Sequence, residues 1–278
     1  MIKTTYLDEC LQRGIIVRWP TGIMPIKVYI SPCRWYASKG NDNYTYKAMA
    51  KKAFETWAEI SEGLVSFEFV NTLYDSQINL EWKRVERKSL GYCTFSYDTK
   101  KRIFSAEVSI GLSDGILHGE YQNMEEVYHT ILHEVGHSLG LGHSPFKEDI
   151  MHVPHQYGVK ELSEIDKKTL RYLYKMPAAH TAPEAIKRIC NEPFSSLDEM
   201  VMYMEGHYKM PQQQSVQASS SSNSEDGNYG ADYEQQRDLV KEQEMIADLN
   251  LYKMSLQNIR ISPNIKSYIN KSVLPDKD

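Results

Sequence analysis

Three histidines and a glutamate follow one another at a spacing that can hold a divalent metal ion. Residues 133–143 read H-E-x-x-H-x-x-G-x-x-H. On a helix that turns about 100° per residue, His133 and His137 lie about 40° apart, so both imidazoles can bind one ion. Gly140 has no Cβ and can end the helix in a left-handed conformation at little cost. The chain can then turn and bring His143 to the same ion.

The ligand types in this stretch favour zinc and a hydrolytic reaction. Three neutral nitrogens suit Zn²⁺ and leave its fourth position for water. Glu134 follows the first ligand but is rotated away from it, where a carboxylate can act as a general base towards that water. A chance recurrence of histidines and a structural zinc site are the alternatives. A structural zinc usually has four protein ligands, and the fixed offsets of Gly140 and His143 favour the catalytic interpretation.

The residues around the first two ligands predict an amphipathic helix. Asn123 is a suitable N-cap, and Glu126 at the N3 position forms a variant of the capping box. Apolar side chains recur with helical spacing on the face opposite His133 and His137: they are Met124, Val127, Tyr128, Ile131, Leu132, Val135 and Leu139. We therefore expect one face of the helix in the core, while the other presents the ligands to a cleft.

Three further histidines lie close to this stretch in the sequence. His129 is one helical turn before His133. We expect it to be exposed or to contact a ligand, rather than to bind the metal itself. His152 and His155 follow in a loop, where they either line the cleft or have no role in it.

The rest of the chain alternates strands and helices in a pattern typical of an α+β fold. Alternating and β-branched runs predict five strands, at residues 26–30, 65–70, 77–82, 91–95 and 103–112. An amphipathic helix over residues 44–61 separates the first two strands, which predicts a βαβ unit and a largely parallel sheet. The short polar turn at residues 98–101 makes the last two strands antiparallel, so one of them is an edge strand. Ser163 and Asp166 cap a final helix that ends at Pro177.

Changes in composition divide the chain into five segments. They are an N-terminal segment (1–14), a catalytic domain (15–176), a helical extension (177–210), a disordered Ser/Gln-rich linker (211–236) and a C-terminal amphipathic helix and tail (237–278). The linker cannot bury enough apolar surface to order itself. All elements that the metal site needs precede residue 176, so we expect the domain to be complete there. The C-terminal helix is a candidate docking segment for a partner.

Composition and charge exclude several classes of protein. The chain has 278 residues and a formal net charge of -5 without a long basic run, so we expect no nucleic-acid partner. It has no stretch of about 18 apolar residues, so we expect no membrane span. Residues 1–14 lack the apolar core of a secretory signal peptide, which predicts a cytoplasmic protein or one exported without an N-terminal signal. The four cysteines show no C-x-x-C spacing; we expect free thiols, with two disulfides as the alternative.

With these motifs in order, the chain resembles the metzincin metalloproteases and, within them, the matrixins. The resemblance covers residues 17–174. Residues 133–144 read H-E-V-G-H-S-L-G-L-G-H-S, which is close to the matrixin signature. Also similar are Met24–Ile30 (M-P-I-K-V-Y-I) and the pattern Leu162-Ser163-x-x-Asp166 followed by Leu173-Tyr174.

The resemblance implies a zinc endopeptidase with one catalytic Zn²⁺ and protein or peptide substrates. It implies a zincin-like fold: a twisted, mostly parallel five-stranded sheet with an antiparallel edge strand, three main helices and a C-terminal helical or disordered extension. By the same resemblance, Met151 is the Met-turn residue beneath the metal. The edge strand would hold substrate by β-augmentation through residues Leu90, Gly91, Tyr92 and Cys93.

Other parts of the matrixin pattern are only echoed or are missing. Pro154 and Tyr157 echo the wall of the specificity pocket, where Tyr157 could bind an oxyanion. No P-R-C-G-x-P-D latency segment is present. The His- and Asp-rich loops that carry structural zinc and calcium in vertebrate matrixins are missing between Trp82 and Leu112, so no such site is expected. Two other functions stay open: an inactive zinc-binding relative acting as an interaction protein, and a zinc amidohydrolase acting on a non-protein amide.

Overall fold

The structure, a computed structural model, describes residues 4–33, 42–84, 91–112, 124–156, 158–190 and 192–207. Some features predicted above lie outside these ranges: they are Leu90, Asn123, Tyr157, the linker at 211–236 and the C-terminal helix at 237–278. Their proposed roles therefore stay predictions.

Seven strands and five α-helices lie within the described residues. The strands are β1 (Leu11–Gln12), β2 (Ile15–Ile16), β3 (Ile26–Ile30), β4 (Phe67–Phe69), β5 (Ile78–Arg84), β6 (Gly91–Tyr97) and β7 (Ile103–Leu112). The helices are α1 (Asp42–Ile60), α2 (Met124–Ser138), α3 (Glu164–Lys175), α4 (Ala182–Ile189) and α5 (Leu197–Met204). Short 3-10 helices occupy Leu7–Cys10, Thr21–Ile23 and Leu73–Asp75.

Five of the strands form one sheet in the order β4-β3-β5-β7-β6. Neighbouring strands are parallel, except that β6 runs antiparallel to β7 at one edge. α1 connects the parallel neighbours β3 and β4, because a parallel pair needs a long crossover connection. The predicted α+β fold is confirmed, with its mostly parallel five-stranded sheet and its antiparallel edge strand.

The helix that carries the predicted ligands packs against α1, β6 and β7. α1 contributes Ala50, Ala53, Phe54 and Trp57, all fully buried and spaced as one face of a helix. Most of the predicted apolar stripe of α2 is buried as well. The exceptions are Tyr128, which is partly exposed, and Met124 at the first position of the helix, which is 42% exposed.

Two very short strands near the N-terminus were not predicted from the sequence. β1 and β2 pair as an antiparallel hairpin, with Leu11 opposite Ile16. The turn residues Arg13 and Gly14 both have positive φ, 51° and 76°. Two-residue turns with two positive φ values match the twist of the strands that they join. Gly14 was the only local signal for this turn, and strands of two residues give no detectable periodicity.

The N-terminal segment and the helical extension pack into the same core as the predicted catalytic domain. Their buried apolar residues are Tyr6, Leu7, Cys10, Ala185, Ile186, Leu197, Met200 and Val201. Asp198 joins the two segments, since its Oδ1 accepts the backbone N–H of Thr4 (3.0 Å) and Thr5 (2.7 Å) and both of their hydroxyls. We infer a folded domain that includes residues 4–14 and 177–207, in place of boundaries at residues 15 and 176.

All four cysteines are free thiols, as the first of the two alternatives expected. Cys10 and Cys33 are buried, and Cys93 and Cys190 are partly exposed. None of the helices in the described ranges is both long and apolar enough to cross a membrane.

Asp198→Ala should lower the melting temperature by roughly 5–10 °C. Each buried donor left without a partner costs about 1–3 kcal/mol, and 1 kcal/mol corresponds to about 2–4 °C in a domain of this size. Thermal unfolding of the full chain measures the effect. Lys187→Ala, at an exposed position of α4, is the control and should change little. An unchanged melting temperature in Asp198→Ala would show that these contacts do not stabilise the domain.

Candidate metal centre

The C-terminal end of α2 is held by side chains from distant parts of the chain. The last carbonyls of a helix have no partner within it. The indole N–H of Trp19 donates to the carbonyl of Ser138 at 2.8 Å. The hydroxyl of Tyr174 donates to the carbonyl of Leu139 at 3.1 Å. These bonds fix the point at which the chain leaves the helix.

Two glycines shape the turn that follows. Gly140 has a φ of +94°, and a Cβ there would lie 2.6 Å from the backbone oxygen of Val17. The left-handed end of the ligand helix therefore occurs where the sequence predicted it. A Cβ at Gly142 would collide with the N-terminal backbone, and its N–H donates to the Cys10 sulfur at 3.3 Å. The loop that carries His143 thus rests on the N-terminal segment.

The structure brings the three predicted histidine ligands together. Nε2 of His137 lies 3.1 Å from Nε2 of His133 and 3.1 Å from Nε2 of His143. Three nitrogens bound to one tetrahedral Zn²⁺ would lie about 3.3 Å apart, which is close to the observed spacing. Within the described ranges, no other group of three metal-ligating side chains comes as close together.

The orientation of the imidazoles also suits a metal ion. Nδ1 of His133 lies 2.8 Å from the Ile150 carbonyl, and Nδ1 of His137 lies 2.8 Å from the Leu141 carbonyl. A carbonyl can only accept, so both Nδ1 atoms carry the proton and both Nε2 atoms present a lone pair. Facing lone pairs repel unless a cation binds both, and metal-binding histidines use this same backbone bond. Burial lowers the pKa of His133 well below its usual value and that of His137 to about 4, which keeps both rings neutral.

Glu134 is a buried carboxylate enclosed between α2 and the edge strand. Its side chain is 6% exposed, and burial raises its pKa to about 8. A Cβ at Gly91 of β6 would lie 2.5 Å from Cγ and 2.6 Å from Oε1 of Glu134. The missing side chain at this strand position therefore leaves the space that the carboxylate occupies.

Met151 is fully buried against the last turn of α2. A Cβ at Gly136 would collide with its sulfur, so the two residues are in direct contact. The Met151 carbonyl accepts the N–H of Ser144 at 2.8 Å, which closes the loop that follows the third histidine. This position is compatible with the role beneath the metal that the resemblance implies.

A buried carboxylate, Asp166, links the His133 partner to the N-terminal segment and to the start of α3. Asp166 accepts the N–H of Ile150 at 2.8 Å, and the Ile150 carbonyl in turn accepts Nδ1–H of His133. The other Asp166 oxygen accepts the Tyr6 hydroxyl at 2.8 Å. The same side chain completes the predicted capping box with Ser163 at the start of α3. One residue therefore fixes a helix terminus, the N-terminal segment and the carbonyl that orients a ligand.

Comparison with known proteins agrees with this geometry. The family model of the matrixins matches residues 34–175, which are 142 of the 278 residues. The chain belongs to the matrixin family. A relative from Heliothis virescens ascovirus 3e, whose name proposes a matrix metalloproteinase, is 28% identical over 137 residues. The aligned part is 42% of this chain and 28% of the viral protein, so the chain spans less than a third of that relative.

Membership of the matrixin family implies a zinc metalloprotease, and the cluster of three histidines fits the zinc site. Gly91, Tyr92 and Cys93 lie on the edge strand β6 of this matrixin, as predicted. Pro154 is exposed in the loop after Met151. Leu90 and Tyr157 lie outside the described residues. The catalytic and substrate-binding roles of these side chains stay predictions.

Some residues that support the site could not be recognised from the local sequence. Tyr6 and Cys10 lie more than 120 positions from the histidines, and no spacing rule connects them. His129 was predicted to be exposed or to contact a ligand, and its exposure of only 2% excludes the first of these alternatives. Its burial depends on a later segment, because its Nδ1 donates to the Val159 carbonyl at 2.8 Å.

His143→Ala should weaken zinc binding by at least about a hundredfold, because it leaves two nitrogen ligands at an open tetrahedral site. Zinc content after dialysis against a mild chelator measures the loss. His152→Ala is the matched control in the neighbouring loop and should keep its zinc. If His143→Ala holds zinc as well as the parent, the third ligand lies elsewhere, with His152 and His155 as the next candidates.

Proposed function

We propose that this matrixin is a zinc-dependent endopeptidase that hydrolyses peptide bonds through a water molecule activated by Glu134. The observation that carries the proposal is the convergence of three Nε2 atoms, with that of His137 3.1 Å from each of the other two, and a buried carboxylate next to the first ligand on the same helix. His133, His137 and His143 would hold the zinc ion. When bound, zinc supplies Lewis-acid chemistry, polarising a carbonyl and lowering the pKa of water towards about 7.

Glu134 moves the proton in this reaction. Its carboxylate takes a proton from the attacking water, whose oxygen bonds to the carbonyl carbon of the scissile peptide. The carbon–nitrogen bond then breaks, and Glu134 gives the same proton to the leaving amine. Burial raises its pKa to about 8. Burial favours the neutral form of this carboxyl, whereas the positive charge of a zinc ion held by the adjacent histidines would favour the carboxylate form that accepts the proton.

The edge strand β6 is the proposed binding surface for the peptide. An edge strand presents backbone N–H and C=O groups that an extended peptide can pair with. Within the described residues, β6 pairs with β7, with Cys93 opposite Val108. Gly91, in direct contact with Glu134, is at the start of this strand. A substrate paired with β6 would therefore lie along the carboxylate. Cys93 is no competing nucleophile, because burial and the charge of Glu134 hold the pKa of its thiol well above the usual value.

Glu134→Gln should keep zinc near one ion per chain and lower peptidase activity by at least about a hundredfold, the scale of losing a general base. Zinc content and cleavage of a proteome-derived peptide mixture, with and without a zinc chelator, measure the two effects. A zinc-loaded parent that cuts no peptide bond would contradict the proposal and favour the inactive relative or an amidohydrolase. Unchanged activity per bound zinc in Glu134→Gln would show that Glu134 is not the general base.

Gly91→Ala should retain zinc but lower kcat by about tenfold or more, because the new methyl group must displace the Glu134 side chain. Kinetics on one fluorogenic peptide, together with zinc content and melting temperature, separate displacement of the base from loss of the fold. Thr94→Ala, at an exposed position of the same strand, is the control. Equal kcat in Gly91→Ala and Thr94→Ala would show that the carboxylate does not need this space.

A further inference from the structure

The third predicted ligand, His143, is the one that the ligand helix does not carry. His133 and His137 lie within α2, whereas His143 follows it in a loop. His143 is also exposed, while the other two histidines are partly buried. Fewer neighbouring side chains can therefore hold its ring, so its position depends more strongly on the backbone at its two sides.

The backbone on each side of His143 is held by a hydrogen bond. After the ligand, the Ser144 N–H donates to the Met151 carbonyl at 2.8 Å, within the loop that follows the helix. Before the ligand, the Gly142 N–H donates to Sγ of Cys10 at 3.3 Å. This second bond reaches across 132 positions of the sequence. One side of the third ligand is thus attached to the N-terminal segment.

The Cys10 thiol is suited to be the acceptor of this bond. Its S–H donates to the Tyr6 carbonyl at 3.4 Å, so the sulfur lone pairs are available to the Gly142 N–H. Cys10 is fully buried, and burial raises the pKa of its thiol to about 12, so the thiol stays protonated and keeps both bonds at neutral pH. Loss of the sulfur would leave the Gly142 N–H as a part-buried donor without a partner, which disfavours this position of the loop.

Cys10 belongs to a segment that α3 holds in place. The Tyr6 hydroxyl donates to Asp166 at 2.8 Å, and the Tyr6 N–H donates to the Thr169 hydroxyl at 3.2 Å. The 3-10 helix that ends at Cys10 begins with Leu7, which is also fully buried. The sulfur is therefore a fixed point to which the loop is attached, rather than a side chain that moves with the loop.

The absence of a side chain at Gly142 allows this close approach. A Cβ there would collide with the backbone carbonyl of Glu9 and would lie 3.1 Å from the backbone nitrogen of Cys10. Backbone atoms cannot rotate away as the end of a flexible side chain can. A methyl group at residue 142 must therefore move the loop or the N-terminal segment.

We propose that Cys10 is a positioning residue for the metal centre, and that its sulfur holds the Gly142 N–H so that His143 meets the other two ligands. The inference rests on the zinc site of the proposed function, but it does not require that a peptide bond is cleaved. Its chemical requirement is a hydrogen-bond acceptor at residue 10, and a hydroxyl can replace the thiol in that role. Groups that support metal ligands typically contribute about 10–100-fold to metal affinity.

The test measures the zinc affinity of the full chain by competition with a chelating dye. Cys10→Ala removes the acceptor and should weaken zinc binding by about tenfold or more. Cys10→Ser keeps a donor and an acceptor and should stay within about threefold of the parent. Cys33→Ala is the matched control, because it removes a buried thiol from another segment, and its zinc affinity should equal that of the parent.

A spectroscopic measurement separates positioning from a general loss of stability. The visible absorption of Co²⁺ bound in place of zinc depends on the geometry of its ligands. The absorption should change in Cys10→Ala and should be the same in Cys10→Ser, Cys33→Ala and the parent. Melting temperatures show whether Cys10→Ala and Cys33→Ala lose comparable stability.

A second variant tests the same contact from the loop. Gly142→Ala should also weaken zinc binding by about tenfold or more, because the new methyl group displaces the backbone next to His143. Gly22→Ala, where a Cβ would meet open space, is its control and should bind zinc as the parent does. If Cys10→Ala fails to fold, this pair of variants decides alone.

The outcomes separate this inference from the proposed function. Equal zinc affinity in Cys10→Ala and Cys33→Ala overturns the positioning role, and so does a Cys10→Ser variant that binds zinc as weakly as Cys10→Ala. Neither result bears on whether the parent cuts peptides. Weaker zinc binding in Cys10→Ala alone, in a parent that cuts no peptide, supports the positioning role and overturns the peptidase. A parent that binds no zinc overturns both.

Discussion

Three imidazole nitrogens held 3.1 Å from their neighbours repel one another wherever their lone pairs face. Without a cation between them, the rings can stay in place only if bonds on their far sides oppose this repulsion. His133 and His137 each have such a bond to a backbone carbonyl, at Ile150 and Leu141. Both carbonyls belong to the chain after α2 rather than to the helix. The metal centre therefore depends on how the loop after the helix is fixed, and the helix alone could not form it.

That loop is fixed mainly by a carboxylate that is itself costly to bury. Burial and the nearby Asp149 raise the pKa of Asp166 to about 6. Against this cost, Asp166 accepts bonds from Ile150, Ser163 and Tyr6, which come from a loop, a helix start and the N-terminal segment. Removing one member of such a network leaves the others buried without partners. The domain is thus held together at the same point that orients a ligand.

Features set by local geometry could be predicted from the sequence. The helical repeat places two histidines on one face, and a glycine with positive φ turns the chain, so the stretch from His133 to His143 has the predicted form. The alternation of strands and helices was sufficient to predict the sheet and its antiparallel edge. Contacts between distant segments were not predictable, because no spacing rule connects Tyr6 to Asp166 or Thr5 to Asp198. For that reason, the domain inferred from the structure is larger than the domain expected from the sequence.

The polar side of α2 explains why His129, whose burial could not be predicted from the sequence, lies one turn before the predicted metal ligands. His129, Thr130, Glu134 and Ser138 are all buried, although the apolar stripe already fills another side of the helix. A helix with this side in water would be easier to stabilise, but Glu134 would then be solvated and its proton affinity ordinary. Covering that side with β6 and the segment at Val159 removes the water and raises the pKa of Glu134. Among the described residues, the same cover leaves Nε2 of His129 buried without a hydrogen-bond partner. The proposed general base and a buried imidazole one turn away are thus two results of one packing arrangement.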